Sequence, residues 1–185
     1  MNSSSKISKS ISAITIFLVV VAAVLEGILL FSGEYSIMRF ISKVISLIAM
    51  IPCFVYACKG YKKDVAVYYK AFMGLFALSA LITLVTDIID TVANSYPSYF
   101  STVICAIVLI GYLILAFAKD FGKQKSMITA FCILGAQLIS FVRMLVKFSG
   151  VTSIILSACL NLIVSIVACL FVYAKYQDKA ERGTK

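Results

Sequence analysis

The chain has 185 residues, 62% of them hydrophobic and 14% charged, with a mean hydropathy of +1.05 and a formal charge of +9. A soluble domain is nearer half apolar and a quarter charged, so this composition excludes an ordinary soluble fold and specifies an integral membrane protein. The basic residues form short clusters between apolar runs rather than one continuous basic face, which sets nucleic-acid binding aside.

Crossing a hydrocarbon core about 30 Å thick takes roughly 20 apolar residues in a helix. Residues 1–10 are polar and carry Lys6 and Lys9, and the first apolar run then covers 11–31. That run is too long for a signal-peptide core and has no small-residue cleavage site, so it reads as a retained helix. The second run is 40–58, where Pro52 is expected to bend the helix, and the third is 71–89. Runs at 99–118, 127–148 and 152–173 follow, and a polar tail from 174 to 185 closes the chain. The expectation is a single transmembrane domain over 1–185: an all-α bundle of six membrane-spanning helices joined by short connections.

Lysine and arginine counting gives the orientation. With the N-terminus inside, thirteen of the 17 basic residues lie on the cytosolic side, and the outer side is electrically balanced. Both termini are therefore expected in the cytosol. The segment from Lys59 to Lys70 is basic with interleaved tyrosines, a pattern suited to anionic headgroups and explained as well by topology alone. Compact loops and the lack of an outward Asn-x-Ser/Thr sequon point to a cell membrane, plasma or inner.

The second, fourth and sixth runs end alike, in Phe-Val-Tyr-Ala-Cys-Lys59, Leu-Ala-Phe-Ala-Lys119 and Phe-Val-Tyr-Ala-Lys175. Counting back 31 residues from the alanine reaches Glu26, Asp87 and Arg143, one charge on each odd-numbered helix. Three repeated helical hairpins are one reading, since internal repeats are common in transport folds. It requires the odd helices to surround a common axis, with Arg143 beside Glu26 or Asp87.

Helix rise sets the depth of these charges. Glu26, Asp87, Arg143 and Lys43 all come to roughly 25 Å from the cytosolic boundary, just inside the outer one. Arg39, Glu34, Asp90 and Lys147 continue the layer toward water. On the third helix Thr83, Asp87, Asp90, Thr91 and Asn94 share one face. On the sixth, Ser153, Ser157, Asn161, Ser165 and Cys169 recur every four residues, with Gln137, Ser140 and Thr83 as prospective neighbours across a polar path. The candidate ligand or ion pathway is thus Glu26, Lys43, Asp87, Asp90, Arg143, Lys147 and Asn161.

Catalytic signatures are missing. The chain has no histidine, no Gly-x-Ser-x-Gly and no phosphate-binding glycine loop. Asp87-Ile-Ile-Asp90 lacks the glycine and arginine that would extend it into a metal-dependent transferase motif. The six cysteines lie in or beside apolar runs, without the spacing of a disulfide framework or a zinc site. A non-enzyme with no cofactor and no metal is the expectation. Two functions fit a balanced charged layer near the outer face. One is binding or translocation of a small polar or charged solute or ion. The other is a non-catalytic subunit whose buried charges are structural ion pairs and whose partner, besides the lipid bilayer, is another membrane protein.

Overall fold

A computed structural model of the chain describes residues 3–32, 36–58, 65–94, 99–118, 122–146 and 152–183. Side chains are described for 11–31, 36–58, 67–93, 99–118, 122–146 and 154–176. The helices are α1 (Ser3–Ser32), α2 (Ile37–Cys58), α3 (Val65–Asn94), α4 (Tyr99–Phe117), α5 (Lys123–Val146) and α6 (Thr152–Gly183). All six are long and apolar enough to cross a bilayer, which marks a multi-pass protein in contact with lipid. Several helices outrun the apolar runs that announce them. Hydropathy locates where a helix can meet hydrocarbon, whereas backbone hydrogen bonding continues into polar residues that water can solvate. Hence α2 already contains Arg39, and α3 extends from Val65 past Asp90 to Asn94. Helix α2 also passes through Pro52 without interruption.

Neighbours in chain order pack on one another, α6 closes back on α1, and α3 reaches across to α6. Consecutive helices are antiparallel: Arg39 near the start of α2 meets Asp90 near the end of α3. Ser126 near the start of α5 likewise meets Tyr176 of α6. The result is two four-helix lobes, α1–α2–α3–α6 and α3–α4–α5–α6, sharing the α3–α6 diagonal. We call the end where α1 begins and α6 stops the terminal end, and the opposite one the distal end.

The two ends are built differently. In the terminal half, Phe171 of α6 packs 5.1 Å from Tyr56 of α2, 5.8 Å from Tyr69 and 5.2 Å from Phe72 of α3, ring centre to ring centre. Phe72 continues to Phe76 at 5.0 Å, and Phe76 to Tyr112 of α4 at 5.6 Å. Phe76 and Tyr112 are stacked while the other pairs are edge-on or tilted, arrangements that at such spacings suit the aromatic quadrupole. Ala49, Cys53, Met73, Ala77, Ala168 and Val172 fill the space around them. Toward the distal end large buried apolar groups thin out to residues such as Leu29, Ile104 and Leu160, and polar side chains take their places: Glu26, Ser42 and Thr86. Helix α1 departs from this division: its buried stripe, at spacings of three and four, carries Ser12 and Thr15 toward the terminal end, Val19 and Ala22 in the middle, and Glu26 and Leu29 toward the distal end.

Close approach of α4 and α5 depends on Gly111. A Cβ there would lie 2.6 Å from Cγ1 and 2.8 Å from Cδ1 of Ile133, which is itself buried, so either that side chain or the helix spacing must shift. Small residues let membrane helices approach in this way. Gly111→Ala should therefore destabilise the detergent-solubilised protein by about 1–3 kcal/mol. Combined with Ile133→Ala, the loss should fall clearly short of the sum of the two single losses. Strict additivity in thermal unfolding would show that the two positions do not press on each other.

Candidate functional site

The distal half is organised by α2. Ser42 and Ser46 stand one turn apart on α2, and Ser79 and Thr83 one turn apart on α3. Ser42 Oγ lies 2.9 Å from Ser79 Oγ and 2.9 Å from Thr83 Oγ1, and Ser46 Oγ lies 2.6 Å from Ser79 Oγ. Each of Ser42 and Ser79 also lies within donating distance of the other's backbone carbonyl, at 3.0 and 3.1 Å. This hydroxyl seam draws α2 and α3 together with small side chains, as membrane helices do where burying apolar surface gives no driving force. Sequence reading placed Thr83 on a polar stripe but missed Ser42, Ser46 and Ser79. The signal was present as two small-polar pairs at i and i+4.

One turn beyond the seam, the Arg39 guanidinium donates to Asp90 at 2.6 Å and lies 3.7 Å from Asp87. Both Arg39 and Asp90 are about half exposed, so water competes for this pair. Asp87 is more enclosed. Its Oδ2 accepts from Ser101 of α4 at 2.8 Å, and the Cys105 thiol lies 3.8 Å away. Asp87 therefore links α3 to α2 on one side and to α4 on the other.

Lys43, one turn after Arg39, points to the other neighbour. Its Nζ is 3.7 Å from Glu26 Oε1 on α1. The Glu26 side chain is 2% exposed and that of Lys43 16%. Among the described residues the second carboxylate oxygen of Glu26, Oε2, is buried and accepts no hydrogen bond, and the Ser12 and Tyr69 hydroxyls are likewise buried without a hydrogen-bond partner. A buried polar atom without a partner is rare and costly, far more so on a carboxylate.

Arg143 on α5 does not pair with an acid among the described residues. Its guanidinium sits over the Phe100 ring of α4, 3.9 Å from the centre, a cation–π contact. The geometry required by the three-hairpin reading is thus not met at this residue: α1, α3 and α5 pack chiefly on even-numbered neighbours, and Arg143 is joined to neither Glu26 nor Asp87. Glu34 and Lys147 lie outside the described residues, so the charged layer is known here from Glu26, Arg39, Lys43, Asp87, Asp90 and Arg143.

Asn161 is exposed while Ser165, one turn away, is buried and donates to the Asn161 carbonyl at 2.8 Å. The Ser153 side chain lies outside the described residues; from Ser157 to Cys169 the four-residue stripe of α6 does not keep one burial, because a helix turns once in about 3.6 residues and a four-residue step drifts by roughly 40°. The stripe that keeps one direction is Ile154, Asn161, Ser165, Ala168 and Val172. Its last three members are buried and its first two exposed, so the face of α6 that is covered toward the terminal end is uncovered toward the distal end. Gln137 and Ser140 on α5 are half-buried at the same end.

No three His, Cys, Asp or Glu side chains gather as metal ligands among the described residues, and all six cysteines are free thiols. The charged layer can exchange hydrogen bonds and compensate charge, and the Glu26–Lys43 pair is its one deeply buried ion pair among the described residues. Comparison with protein-family models, with curated proteins and with solved structures returns no match.

The unequal burial of Glu26 and Lys43 generates an asymmetry. Removing Lys43 strands a buried carboxylate, whereas removing Glu26 leaves an ammonium on a flexible stem that can turn toward water. Lys43→Met should cost about 3–5 kcal/mol in detergent unfolding, and Glu26→Gln distinctly less. The double variant should recover most of the Lys43→Met loss. Equal single losses would mean that Lys43 cannot turn outward.

Proposed function

We propose that the protein binds or translocates a small polar or charged solute in the distal half of its bundle, with Glu26 and Lys43 meeting the solute. The observation that carries this reading is the buried Glu26 carboxylate, one oxygen of which faces Lys43 at 3.7 Å while the other has no hydrogen-bond partner among the described residues. A carboxylate at this depth is expensive, and a pair serving only to lock helices would be expected to close both oxygens. The uncovered distal stretch of the α6 stripe, with Asn161 on it, supports the same reading, because a polar amide there has room beside it. Asp87, Asp90 and Arg143 would form the charged rim, with the distal end facing outward in the orientation set by the basic residues.

A second reading rests on its own observation. Arg39 joins Asp87 and Asp90, and Asp87 in turn holds Ser101, so those charges already serve as helix staples. If Glu26 and Lys43 do no more than this, the protein is a non-catalytic membrane partner or assembly subunit.

Solute binding separates the two. A thermal-shift screen of the purified protein against metabolites and ions should yield a stabilising solute. Glu26→Gln should keep the fold and weaken that solute at least tenfold, about 1.4 kcal/mol or more. Ser126→Ala, which removes the contact with Tyr176 at the terminal end, should leave binding within about twofold. Unchanged binding by Glu26→Gln would favour the staple reading throughout. In a background without the native cysteines, a cysteine at Ser36 should react with an impermeant thiol reagent added outside, and one at Gly122 should not.

A further inference from the structure

Among the described residues of the distal end, Arg143 is the cation that no acid answers. We infer that the junction of α4 and α5 binds a phospholipid of the leaflet at that end, with the lipid phosphate on the Arg143 guanidinium and an acyl chain lying inward along the two helices.

The three acids whose side chains are described at this end are already engaged, Glu26 with Lys43, and Asp87 and Asp90 with Arg39. Arg143 has the face of the Phe100 ring instead, 3.9 Å away. A ring face answers part of the charge but offers no oxygen, and none of the guanidinium N–H groups finds an acceptor among the described residues. The side chain is only partly buried, so those donors can be approached from outside the bundle. A guanidinium is a planar fork that matches two oxygens of a phosphate or carboxylate at once.

Depth and the neighbouring side chains decide which anion it meets. Phe100 and Arg143 lie eleven and ten residues beyond the Gly111–Ile133 contact, so the two stand level with each other. Counted from Ser126, that level is roughly 25 Å from the terminal boundary, a few ångströms short of the distal one. An arginine there reaches the headgroups by extending its stem. One turn deeper, Val103 of α4 is 56% exposed and Ile139 of α5 57%. The surface thus presents a cation at headgroup level and apolar side chains beneath it, the order in which a phospholipid presents its phosphate and its chain. An anion from the aqueous phase would use the guanidinium alone and touch neither Val103 nor Ile139.

A phosphatidylglycerol with a photoreactive diazirine in its acyl chain tests the assignment on the whole protein in detergent micelles. Illumination should place adducts on the distal halves of α4 and α5, Val103 and Ile139 among them. Unlabelled phosphatidylglycerol should compete these adducts away, and so should phosphatidylcholine, which shares the phosphate. A galactosyl diacylglycerol of the same chains lacks the phosphate, and inorganic phosphate lacks the chains; each should compete about tenfold less well or worse. Arg143→Gln should lower the adduct yield here about tenfold and leave adducts on the terminal halves unchanged, and Arg143→Lys, a charge without the fork, should fall between. Equal competition by the galactolipid would mean that apolar surface alone holds the lipid, and equal competition by inorganic phosphate that the site takes a free anion. Either result overturns the assignment, as does the lack of distal adducts on α4 and α5. The competition series uses the wild-type protein, so it decides the matter whether or not a variant folds.

Discussion

The seat of Phe171 is the contact on which the rest of the arrangement depends. Six apolar helices in a bilayer gain little by exchanging lipid for one another, so shape must hold them. Phe171 supplies shape from α6 to α2 and α3 at once, through Tyr56, Tyr69 and Phe72. Aromatic pairs of this kind are worth about 0.5–1.5 kcal/mol each beyond their burial. Together they create the diagonal that turns a ring of neighbours into two lobes. The Lys175 ammonium over the Tyr69 ring, 3.8 Å from its centre, finishes the same cluster at the terminal end.

Away from that seat, cohesion changes character. The distal half is joined by hydroxyls, two cations of α2 and the acids they face, not by interlocking rings. Hydrogen bonds between membrane helices average about 0.6 kcal/mol, and half-exposed ion pairs contribute about 1 kcal/mol or less. Such contacts can also be traded for water or for a ligand, because a hydroxyl or an ammonium has more than one acceptable partner. Packed rings have no such substitute. One molecule therefore combines a terminal half that resists rearrangement with a distal half that tolerates it.

Much of the fold was legible because hydrophobic length is a one-dimensional property. Six apolar runs give six helices, and the common level of Glu26 and Lys43, which meet at 3.7 Å, follows from counting residues at fixed rise. Pairing was harder to read, because it depends on azimuth and on which helix stands next door. Arg39 and Lys43 sit one turn apart and yet address different neighbours, α3 and α1. The repeat arithmetic placed Arg143 at the height of Glu26 and Asp87 but said nothing of direction, and the guanidinium found the Phe100 face on the adjacent helix. The polar stripe of α6 failed for a related reason: four-residue spacing resembles a helix face over two turns and leaves it over four. The hydroxyl seam was hidden because serine carries no hydropathic weight in an apolar run.

The uneven filling of the bundle has an electrical consequence. A membrane potential falls mostly across material of low dielectric constant that excludes water, and the interlocked rings around Phe171 are such material. Moving one full charge across the whole membrane is worth about 2.3 kcal/mol per 100 mV. A charge displaced only between the distal rim and Glu26 traverses a small part of that drop. Under the proposed function, entry of a charged solute to the pair should thus be nearly indifferent to voltage, and any strong voltage dependence would belong to a step that carries charge past Phe171.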